Sequence, residues 1–497
     1  MQIGSLIRRA ALHHGDAPCL VEGDRVVSFR EFDLLTDRVG HALLDRGLVP
    51  GDRVGVLLPN GIDCLVVYYA LAKSGLVRVS MNTRETLDNH RYKLADSGSR
   101  AVFHYGLPDD LGVEISFGPD VVEAFLAAPD KGPCAVDREL EAPLRLGYTG
   151  GTTGQSKAVT LTTRGELSEM TAFLTDLVPD IGPADTFLHA APIAHASGAF
   201  FLPAMVRGAR SVVMKKFDPA TFIALGEQSQ ATITFLVPTM LAMILERPEL
   251  AGANLRLTRI AYGASPISPA VLARAEQRFG RILAQTYGQA ESPMVITCLK
   301  PEDHDRAGSC GRPFTTVEAG IVDEQANFLA PGGVGEIVCR GTQLMAYYWN
   351  RPEATAEAFR GGWLHTGDIG RMDEDGFFYI LDRKNDMLIS GGYNVYPREV
   401  EEVLLSYEGV VEAAVIGLPD EKWGDRVHAV IAGRPGLDSS AVLDFAKSRL
   451  ANFKAPKSIE IWPELPKSSA NKILRRSVRD SIAAREAPAT GEPERAA

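Results

Sequence analysis

Apolar residues along this chain alternate between short runs rich in valine, leucine and isoleucine and longer stretches with helical spacing. Residues 53–59 form a run typical of a buried strand, and residues 64–74 follow with a stretch typical of a helix. The same succession returns at residues 231–237 and 240–246. Strands that alternate with helices in this way are the pattern of layered α/β folds. We therefore predict an α/β fold for most of the chain.

Beyond about residue 386 the predicted elements become shorter. We expect a helix, two strands and a second helix, at residues 397–406, 412–417, 426–432 and 440–450. This order fits a small α+β domain of about a hundred residues. Residues 483–497 are rich in Ala, Pro, Glu and Arg without periodicity, and we expect them to form a frayed, disordered tail.

The composition is that of a globular protein of enzyme size. The chain has 497 residues, of which 45% are hydrophobic and 23% charged, so two or more domains are expected. No stretch approaches the ~18 apolar residues of a membrane span, and the N-terminus lacks a secretion signal, so we expect a cytoplasmic protein. The six cysteines are scattered without a Cys-x-x-Cys pair, which favours reduced, mostly buried thiols over disulfides or zinc ligands.

The charge distribution restricts the partners. A net charge of −11 argues against general nucleic-acid binding, because a polyanion would be repelled by most of the surface. Residues 447–479 run against that trend, with nine Lys and Arg against Glu460 and Glu464 only. We interpret this segment as a local cationic field suited to a phosphorylated ligand, although a solvated basic face explains the charge equally well.

A glycine-rich loop at residues 148–157 is the strongest chemical signal. Glycines allow the backbone to turn closely around an anion, and the loop adds hydroxyl donors and a cation at Thr149, Thr152, Thr153 and Lys157. The spacing is not that of a P-loop, because Ser156 and Ala158 stand where the second glycine and the metal-binding hydroxyl belong. The loop alone therefore indicates phosphate binding or a simple Gly/Thr turn between two strands.

Further motifs follow this loop in a recognisable order. They are Pro-Ile-Ala-His at 192–195, Tyr-Gly-Gln-Ala-Glu at 287–291, Trp-Leu-His-Thr-Gly-Asp at 363–368, Asp-Arg-Lys at 382–384 and the lysine-containing segment 466–473. Over essentially its whole length the chain resembles the acyl-CoA synthetases of the adenylate-forming (ANL) superfamily. The resemblance implies a large N-terminal domain at residues 1–384 and a small mobile domain at 385–482. It also implies a hinge at Asn385 and a site between the two domains.

The resemblance also implies the chemistry. In this superfamily a carboxylate attacks the α-phosphate of ATP to give an acyl-adenylate, and the thiol of coenzyme A then displaces AMP. The expected enzyme is an AMP-forming acid–thiol ligase that uses ATP, Mg²⁺ and coenzyme A. Small and apolar residues at 196–201, 262–265 and 288–294, without Arg or Lys, suggest an apolar monocarboxylic acid as substrate, and the small side chains leave space for a bulky acyl group.

Individual roles carry over to the matching positions. Glu291 matches the magnesium-binding acid, Lys472 the lysine that clamps the carboxylate and α-phosphate, and His195 a residue at the carboxylate end of the acyl pocket. The nucleotide is expected at Thr149, Thr152, Thr153, Lys157, Gly263, Ala264, Ser265, Tyr287, Gly288, Asp368 and Arg383. The acyl group is expected at His195, Ala196, Ser197, Gly198 and Gly288, and coenzyme A at Gly391, Gly392, Trp423, Phe453 and Lys457.

Each role has a simpler structural alternative. Glu291 would cap a following helix, Tyr287 would be a core aromatic, Asp368 a turn residue and His195 a buried, satisfied histidine. Lys472 and Trp423 would be ordinary surface side chains. The ordered series of motifs favours the functional roles.

The sequence departs from the usual family pattern at several positions, namely Gly150, Ser156, Ala158, Ala290, Asn385 and Asn471. Relatives commonly have a serine at the position of Gly150 and a threonine at that of Ala290, so two phosphate donors are lost. A hydrogen bond to a charged group contributes about 1.5–3 kcal/mol, and two such losses would slow adenylation by orders of magnitude. An alternative hypothesis follows: the enzyme mainly thioesterifies an acyl-adenylate made by a separate adenylating enzyme.

Two further alternatives remain open on the sequence alone. A stand-alone adenylation enzyme would load the thiol of a carrier protein instead of coenzyme A. A non-catalytic homologue would bind the nucleotide or the acyl ligand as a sensor. Retention of the expected Glu291, Asp368, Arg383 and Lys472 favours an enzyme over the sensor.

Overall fold

A computed structural model describes residues 1–106, 111–148, 156–384, 386–420, 423–467 and 473–486. The α-helices, numbered in chain order, are α1 (Ile3–His14), α2 (Phe29–Asp45), α3 (Ile62–Lys73), α4 (Leu87–Ser97), α5 (Pro119–Leu126), α6 (Thr163–Ala172), α7 (Ala196–Ala199), α8 (Phe201–Val206), α9 (Pro219–Ser229), α10 (Pro238–Leu245), α11 (Pro269–Phe279), α12 (Pro352–Ala358), α13 (Pro397–Leu405), α14 (Ser439–Arg449) and α15 (Arg475–Glu486). A π-helical turn at Phe173–Leu177 extends α6.

The strands fall between these helices. In chain order they are β1 (Pro18–Glu22), β2 (Arg25–Ser28), β3 (Arg53–Leu57), β4 (Val77–Ser80), β5 (Ala101–His104), β6 (Ile115–Phe117), β7 (Pro143–Tyr148), β8 (Ala158–Thr162), β9 (Thr186–His189), β10 (Arg210–Val213), β11 (Ile233–Leu236), β12 (Arg259–Gly263), β13 (Leu283–Gln289), β14 (Ser292–Leu299), β15 (Arg312–Pro313), β16 (Val317–Val322), β17 (Val334–Gly341), β18 (Tyr347–Tyr348), β19 (Leu364–Met372), β20 (Phe378–Arg383), β21 (Leu388–Ser390), β22 (Tyr393–Val395), β23 (Val410–Asp420), β24 (Gly424–Gly433) and β25 (Ser458–Ile461).

Two large sheets, which we call sheet 1 and sheet 2, organise the N-terminal part. Sheet 1 has the order β15-β14-β13-β12-β11-β9-β10-β1-β2, and its inner neighbours from β1 to β13 run parallel. Sheet 2 has the order β18-β8-β7-β4-β3-β5-β6, with parallel pairing from β7 to β6. Parallel neighbours need long crossover connections, and helices form most of these connections in both sheets. This arrangement confirms the predicted α/β class.

The chain divides into two compact units. The first unit consists of residues Met1–Ile267, Val271–Thr366 and Arg371–Tyr379. The second unit consists of Ser268–Ala270, Gly367–Gly370 and the chain from Ile380 onward. The second unit contains a sheet of order β22-β21-β24-β23, with β25 beside β24, together with α13, α14 and α15.

Adjacent phenylalanines anchor the segment that follows His195. The Phe200 ring stacks on Phe187 at 5.0 Å in one hydrophobic core, and the Phe201 ring packs at 5.2 Å from Phe32 in the other. Both phenylalanines are completely or almost completely buried. Because aromatic side chains contribute large buried areas, this pair fixes the start of α8 and with it the loop in front of α7.

The elements predicted from the pattern lie where expected, with ends that shift by at most three residues. The predicted strand and helix at 53–59 and 64–74 are β3 and α3, and those at 231–237 and 240–246 are β11 and α10. The C-terminal prediction of helix, strand, strand and helix corresponds to α13, β23, β24 and α14. All six cysteines are buried and free, as predicted.

We predicted the start of the disordered tail too early in the chain, at residue 483. Helix α15 continues to Glu486, whereas we expected irregular structure from residue 483 onward. The residues concerned include Ala483, Ala484 and Arg485, which are strong helix formers and prolong a helix that has already been nucleated. In the part of the chain that the structure covers, no helix combines the length and apolarity needed to cross a membrane.

Candidate functional site

The carboxyl ends of parallel strands in sheet 1 bring several predicted residues to one edge. Strands β9, β11, β12 and β13 are parallel neighbours in this order. Gly263 is the last residue of β12, Tyr287 and Gly288 lie near the end of β13, and His195 follows β9. In open α/β sheets ligands bind outside the carboxyl ends of the strands. A nucleotide and acyl site is therefore expected at this edge.

The segment at the end of β12 combines a required glycine with a strained residue. Gly263 pairs with Thr286 of β13, and a Cβ atom at Gly263 would lie 2.4 Å from the Thr286 carbonyl oxygen. The next residue, Ala264, is exposed and has a φ of +70°, in the left-handed region that non-glycine residues rarely adopt. Ser265 follows and is half-buried. Strain of this kind is concentrated at ligand sites, and it turns the chain sharply away from β12.

Strands β13 and β14 form a hairpin whose turn is Ala290-Glu291. A Cβ atom at Gly288 would lie 2.5 Å from the Cα atom of Met294 on the second strand, so only glycine fits there. Tyr287 is half-buried beside this close contact and packs partly against the core. Because Glu291 lies between two strands and no helix follows it, the helix-cap alternative for this carboxylate is excluded.

Glu291 is held by a tyrosine that we did not single out from the sequence. The Tyr348 hydroxyl donates to Glu291 Oε1 at 2.6 Å, and the Met345 N–H donates to the Glu291 carbonyl oxygen at 2.8 Å. On the other side, Lys157 Nζ lies 5.2 Å from the centre of the Tyr348 ring, within the range of a cation–π contact. Sheet 2 supplies both Lys157, which precedes β8, and Tyr348 of β18, which pairs with β8. The structure thus joins the predicted magnesium-binding acid and the loop lysine through one aromatic ring.

The donor set at Glu291 fits a magnesium ion only together with a nucleotide. Mg²⁺ is usually held by one or two carboxylates plus phosphate oxygens and water. Among the described residues, no group of three or more His, Cys, Asp or Glu side chains forms a metal cage made by protein alone. A single carboxylate that shares Tyr348 with a lysine matches the first pattern, and Glu291 is the residue that would hold the ion against a phosphate chain.

His195 is fixed by a contact between the two sheets. Its Nε2 atom lies 2.8 Å from Asn82 Nδ2, in the loop that follows β4 of sheet 2. The ring is partly exposed, yet desolvation by the surrounding protein lowers its pKa, and Lys93 and Arg84 lower it further against the opposing effect of Glu85. His195 is therefore a neutral imidazole near neutral pH. Its Nε2 atom is hydrogen-bonded to Asn82, and the residue remains accessible to solvent.

The neighbouring residues divide between the core and the site. Ser197 is completely buried, and its hydroxyl lies 3.0 Å from Nδ1 of the buried His189, so its side chain faces the core. This corrects our expectation that Ser197 lines an acyl pocket. Gly198 is required for packing, since a Cβ atom there would lie 2.2 Å from the Ile193 carbonyl oxygen. Ala196 is half-buried and is the first residue of α7, directly after His195 in sequence.

Asp368 and Arg383 form an ion pair within the second unit. Arg383 Nε lies 2.6 Å from Asp368 Oδ1, and the Lys384 N–H donates to the Gly367 carbonyl oxygen at 2.8 Å. Asp368 is buried, and it lies within strand β19 rather than in a turn, so the simple turn alternative does not apply. The two residues predicted to bind the ribose are therefore brought together.

The predicted coenzyme A residues gather around one hairpin of the second unit. Gly391 and Gly392 form the turn between β21 and β22, with φ values of +60° and +82° that favour glycine. The Gly391 N–H donates to the Trp423 carbonyl oxygen at 2.8 Å, and a Cβ atom at Gly391 would lie 3.1 Å from the Trp423 ring. Lys457 Nζ lies 4.7 Å from the centre of that ring. Phe453 joins the group through Tyr393, the next residue of the hairpin, at 4.7 Å between ring centres.

The basic segment at 447–479 is less cationic than its sequence indicates. Lys454 lies 2.7 Å from Glu399, Lys467 is paired with Glu412, and Arg475 contacts a set of three carboxylates, namely Asp382, Asp386 and Glu401. All these carboxylates lie outside the segment, so counting acids within it overestimated the local field. The positive field of the segment is therefore weaker than the sequence count indicates.

Several predicted residues lie outside the described part of the chain. They are Thr149, Thr152 and Thr153 of the glycine-rich loop, the clamping lysine Lys472 and the hinge residue Asn385. The departures Gly150 and Asn471 also lie there.

Comparison with known proteins decides the family. The sequence profile of the AMP-binding enzymes matches residues 7–349, and the profile of the AMP-binding enzyme C-terminal domain matches residues 399–472. The chain belongs to this family. Relatives named as acyl-CoA ligases of the adenylate-forming superfamily are among its homologues, which confirms the resemblance and the fold class with a large N-terminal and a small C-terminal domain.

Three relatives illustrate the similarity. The medium/long-chain-fatty-acid–CoA ligase FadD8 of Mycobacterium tuberculosis is 36% identical over 96% of this chain and 89% of its own length. Feruloyl-CoA synthase of an Amycolatopsis species is 35% identical over 96% of this chain and 98% of its own. The structure of o-succinylbenzoate CoA synthetase from Bacillus subtilis with its acyl-adenylate intermediate aligns with a TM-score of 0.88 at 29% identity, covering 96% and 98% of the two chains.

This AMP-binding enzyme contains three contact residues that sequence reasoning missed. Tyr348 binds Glu291, Asn82 binds His195 and Tyr393 packs on Phe453. The run Tyr347-Tyr348-Trp349 was a visible signal, because three successive aromatics are rarely all exposed. Asn82 gave no such signal, since a lone asparagine after a strand is usually a turn residue.

Proposed function

We propose that this AMP-binding enzyme is an acyl-CoA ligase that joins an apolar monocarboxylic acid to coenzyme A through an acyl-adenylate. The observation that carries the proposal is the contact of Glu291, Tyr348 and Lys157 next to the ends of β12 and β13. It brings a carboxylate and an ammonium group to the same tyrosine side chain, which suits a metal-bound phosphate chain in a reaction that releases pyrophosphate.

Residues of the first unit, together with Lys472 of the second unit, have distinct tasks in the proposed first step. Tyr287 stacks on adenine against the segment 263–265, and Lys157 neutralises charge on the phosphates. A bound Mg²⁺ at Glu291 would stabilise the charge of the pyrophosphate leaving group. Lys472 holds the substrate carboxylate against the α-phosphate. His195 lies at the carboxylate end of the acyl pocket. The acid oxygen then replaces pyrophosphate at phosphorus.

The second-unit residues serve both steps. Asp368 accepts the ribose hydroxyls, and Arg383, which already neutralises Asp368, donates to the sugar or the phosphate. The glycine turn at 391–392 gives the narrow thiol arm of coenzyme A room, and Trp423, Phe453 and Lys457 hold its nucleotide end. Sulfur attacks the acyl carbon, AMP leaves, and a thioester forms.

The substrate class rests on side-chain chemistry. The segments 262–265 and 288–294 contain small, apolar and uncharged side chains apart from Glu291, and Phe200 and Phe201 are withdrawn into the cores. Nothing in these segments would pair with a second carboxylate. The two relatives named for medium/long-chain fatty acids and for ferulate agree with an acid that has one carboxylate and an apolar body.

The test compares two sets of reactants. Purified protein receives either a panel of acids with MgATP and coenzyme A, or the corresponding synthetic acyl-adenylates with coenzyme A. We expect acyl-CoA from both sets, with apolar monocarboxylates turning over fastest. Fastest turnover of dicarboxylates would contradict the substrate class, and absence of product from every acid and adenylate would overturn the function.

A second candidate is a ligase whose adenylation step is impaired, so that a separate enzyme must supply the adenylate. The observation in its favour is Ala290, which occupies the hairpin turn directly before Glu291 and has no hydroxyl to offer a phosphate. Gly150, at a position where relatives commonly have a serine, adds to the same deficit. Product from adenylates alone would establish this candidate, and equal turnover in both sets would exclude it. Restoring the hydroxyl in Ala290→Thr should then accelerate only the ATP-dependent set.

The thiol acceptor is tested separately. Coenzyme A is favoured by the stacking and cationic groups around Trp423 and Lys457. Saturation of the rate by coenzyme A is the expected result. A rate that rises linearly with coenzyme A and saturates with a phosphopantetheinylated carrier protein would instead identify a carrier-loading enzyme.

A further inference from the structure

The hydrogen bond between Asn82 and His195 defines which imidazole nitrogen carries the proton. The Arg84 N–H donates to Asn82 Oδ1 at 3.0 Å, which fixes the orientation of the side-chain amide. The other end of the amide, Nδ2, lies 2.8 Å from His195 Nε2. An amide nitrogen is only a donor, so Nε2 must be the unprotonated acceptor. In the neutral ring the proton is therefore on Nδ1.

The other nitrogen is available to a ligand. Among the described residues, Nδ1 of His195 has no hydrogen-bond partner, and the residue is exposed. His189, by contrast, is buried and has a partner on both nitrogens, Ser197 and Ser211. The two histidines thus have different tasks: His189 stabilises the core, and His195 keeps one N–H donor for the site.

The loop that carries His195 is held rigidly. Asn60, in the loop after β3, accepts a hydrogen bond from the Ile193 N–H at 2.8 Å and donates to the Ala191 carbonyl oxygen at 3.1 Å. Gly198 packs against the Ile193 carbonyl oxygen with no room for a Cβ atom. Two asparagines of sheet 2 therefore fix this loop of sheet 1, Asn60 through the backbone and Asn82 through the side chain.

We propose that Asn82 is a positioning residue that holds His195 as the Nδ1–H tautomer, so that the neutral ring donates one hydrogen bond to an oxygen of the substrate acyl group. The inference rests on the proposed acyl-CoA ligase function. A donor placed before the reaction begins stabilises the negative charge that develops on the carbonyl oxygen when the thiol attacks. An uncharged donor also leaves the apolar substrate without a buried cation nearby.

The charged groups that face His195 come from the loop after β4 and from helix α4. They are Arg84 and Glu85 of the loop and Lys93 of the helix, and Lys93 is paired with Glu85. Since this pair is largely self-neutralising, the protonation of His195 is governed mainly by desolvation by the surrounding protein, which lowers its pKa, and by the group at position 82. A substitution of Asn82 should therefore change both the tautomer of His195 and the pH dependence of the reaction rate.

The decisive variant is Asn82→Asp. A carboxylate accepts where the amide donates, so it favours a proton on Nε2, leaves Nδ1 without one and raises the pKa of His195. With synthetic acyl-adenylate and coenzyme A we expect at least a tenfold loss at pH 8.5, the size of a lost donor to a developing oxyanion. The rate should recover as the pH falls below the raised pKa, because the imidazolium again has a proton on Nδ1. The wild type should not show this recovery.

Nitrogen NMR of histidine-labelled protein reads the tautomer without any turnover. The His195 signals are assigned by their absence in His195→Gln. We expect a protonated Nδ1 in the wild type, a protonated Nε2 in Asn82→Asp at high pH and a mixture in Asn82→Ala, which serves if the aspartate variant does not fold. Asn89→Asp, the same change at an exposed position of α4, is the matched control and should alter neither tautomer nor rate.

Two results would overturn the proposal. One is a wild-type His195 with its proton on Nε2. The other is an Asn82→Asp enzyme whose tautomer and pH profile equal those of the wild type. Failure of the ligase function itself is distinguishable, because it abolishes turnover of every adenylate in the wild type while the NMR measurement still reports the tautomer.

Discussion

At the scale of single residues, Tyr348 connects the two groups that the proposed adenylation needs most. Its hydroxyl donates to the carboxylate of Glu291 and its ring faces the ammonium group of Lys157. A carboxylate that loses this donor gains rotational freedom and loses part of its orientation toward a metal ion. In the proposed adenylation Tyr348 would therefore orient Glu291, although the two residues are 57 positions apart in sequence.

Tyr348→Phe should slow adenylation about ten- to hundredfold, because a hydrogen bond to a charged group contributes about 1.5–3 kcal/mol. The measurements are acid-dependent exchange of pyrophosphate into ATP and the affinity for MgATP. Thioester formation from a supplied adenylate should change much less. Tyr347→Phe is the matched control, since that tyrosine is partly exposed and stacks on Trp349. Equal exchange rates in the two variants would contradict the role of Tyr348.

At the scale of elements, Arg475 holds the second unit together. It is the first residue of α15, and its guanidinium contacts Glu401 of α13 at 2.7 Å, Asp382 of β20 at 2.8 Å and Asp386 at 2.9 Å. These carboxylates raise the pKa of Arg475 against the opposing effect of burial, so the cation is permanent. One side chain thus links two helices and a strand end.

Arg475→Met should destabilise the second unit by about 3–5 kcal/mol, because removing one partner leaves buried carboxylates without a counter-charge. Hydrogen exchange of the α13 and β23 amides is the appropriate measurement, since it reports on this unit alone. Arg476→Met changes the adjacent arginine, whose side chain is 68% exposed, and should have little effect. Similar protection in both variants would show that the cluster does not stabilise the unit.

At the scale of the whole molecule, a buried group of charges in the first unit makes stability depend on pH. Arg145 contacts Glu166 at 2.7 Å and Glu169 at 3.0 Å. Burial raises the pKa of Glu169 to about 8, whereas Arg145 and Arg78 outweigh burial at Glu166 and lower its pKa. Two carboxyl groups thus share the arginine, and the folded state retains a proton on Glu169 at neutral pH.

The sign of the pH effect follows from this proton. Between pH 4.5 and about 8 the folded state keeps a proton that the unfolded state has released, so this group lowers the free energy of unfolding as the pH rises. Glu169→Gln keeps the shape and cannot titrate. We expect a flatter dependence of the melting temperature on pH in this range than in the wild type. Glu141→Gln, at an exposed ion pair, should leave the wild-type slope unchanged, and a Glu169→Gln curve parallel to the wild type would refute the assignment.

The sequence by itself determined the α/β class, the order of the main elements and the family. Local pattern suffices for these, because helix and strand periodicity and the motifs around His195, Glu291 and Asp368 lie within short stretches of chain. It also identified residues that the structure brings together, such as Asp368 with Arg383 and Gly391 with Trp423.

Only the tertiary structure decided which of these groups touch and what orients them. Asn82 and His195 are 113 residues apart and meet because the loops after β4 and β9, strands of different sheets, contact each other there, which no local pattern encodes. Ser197 faces the core and its neighbour His195 does not, because α7 turns one toward the buried His189. The charge of Arg475 is neutralised by carboxylates from distant elements. Counting basic and acidic residues within segment 447–479 therefore overestimated its positive field. Hydrogen bonds and ion pairs depend on the direction of side chains, and packing sets that direction.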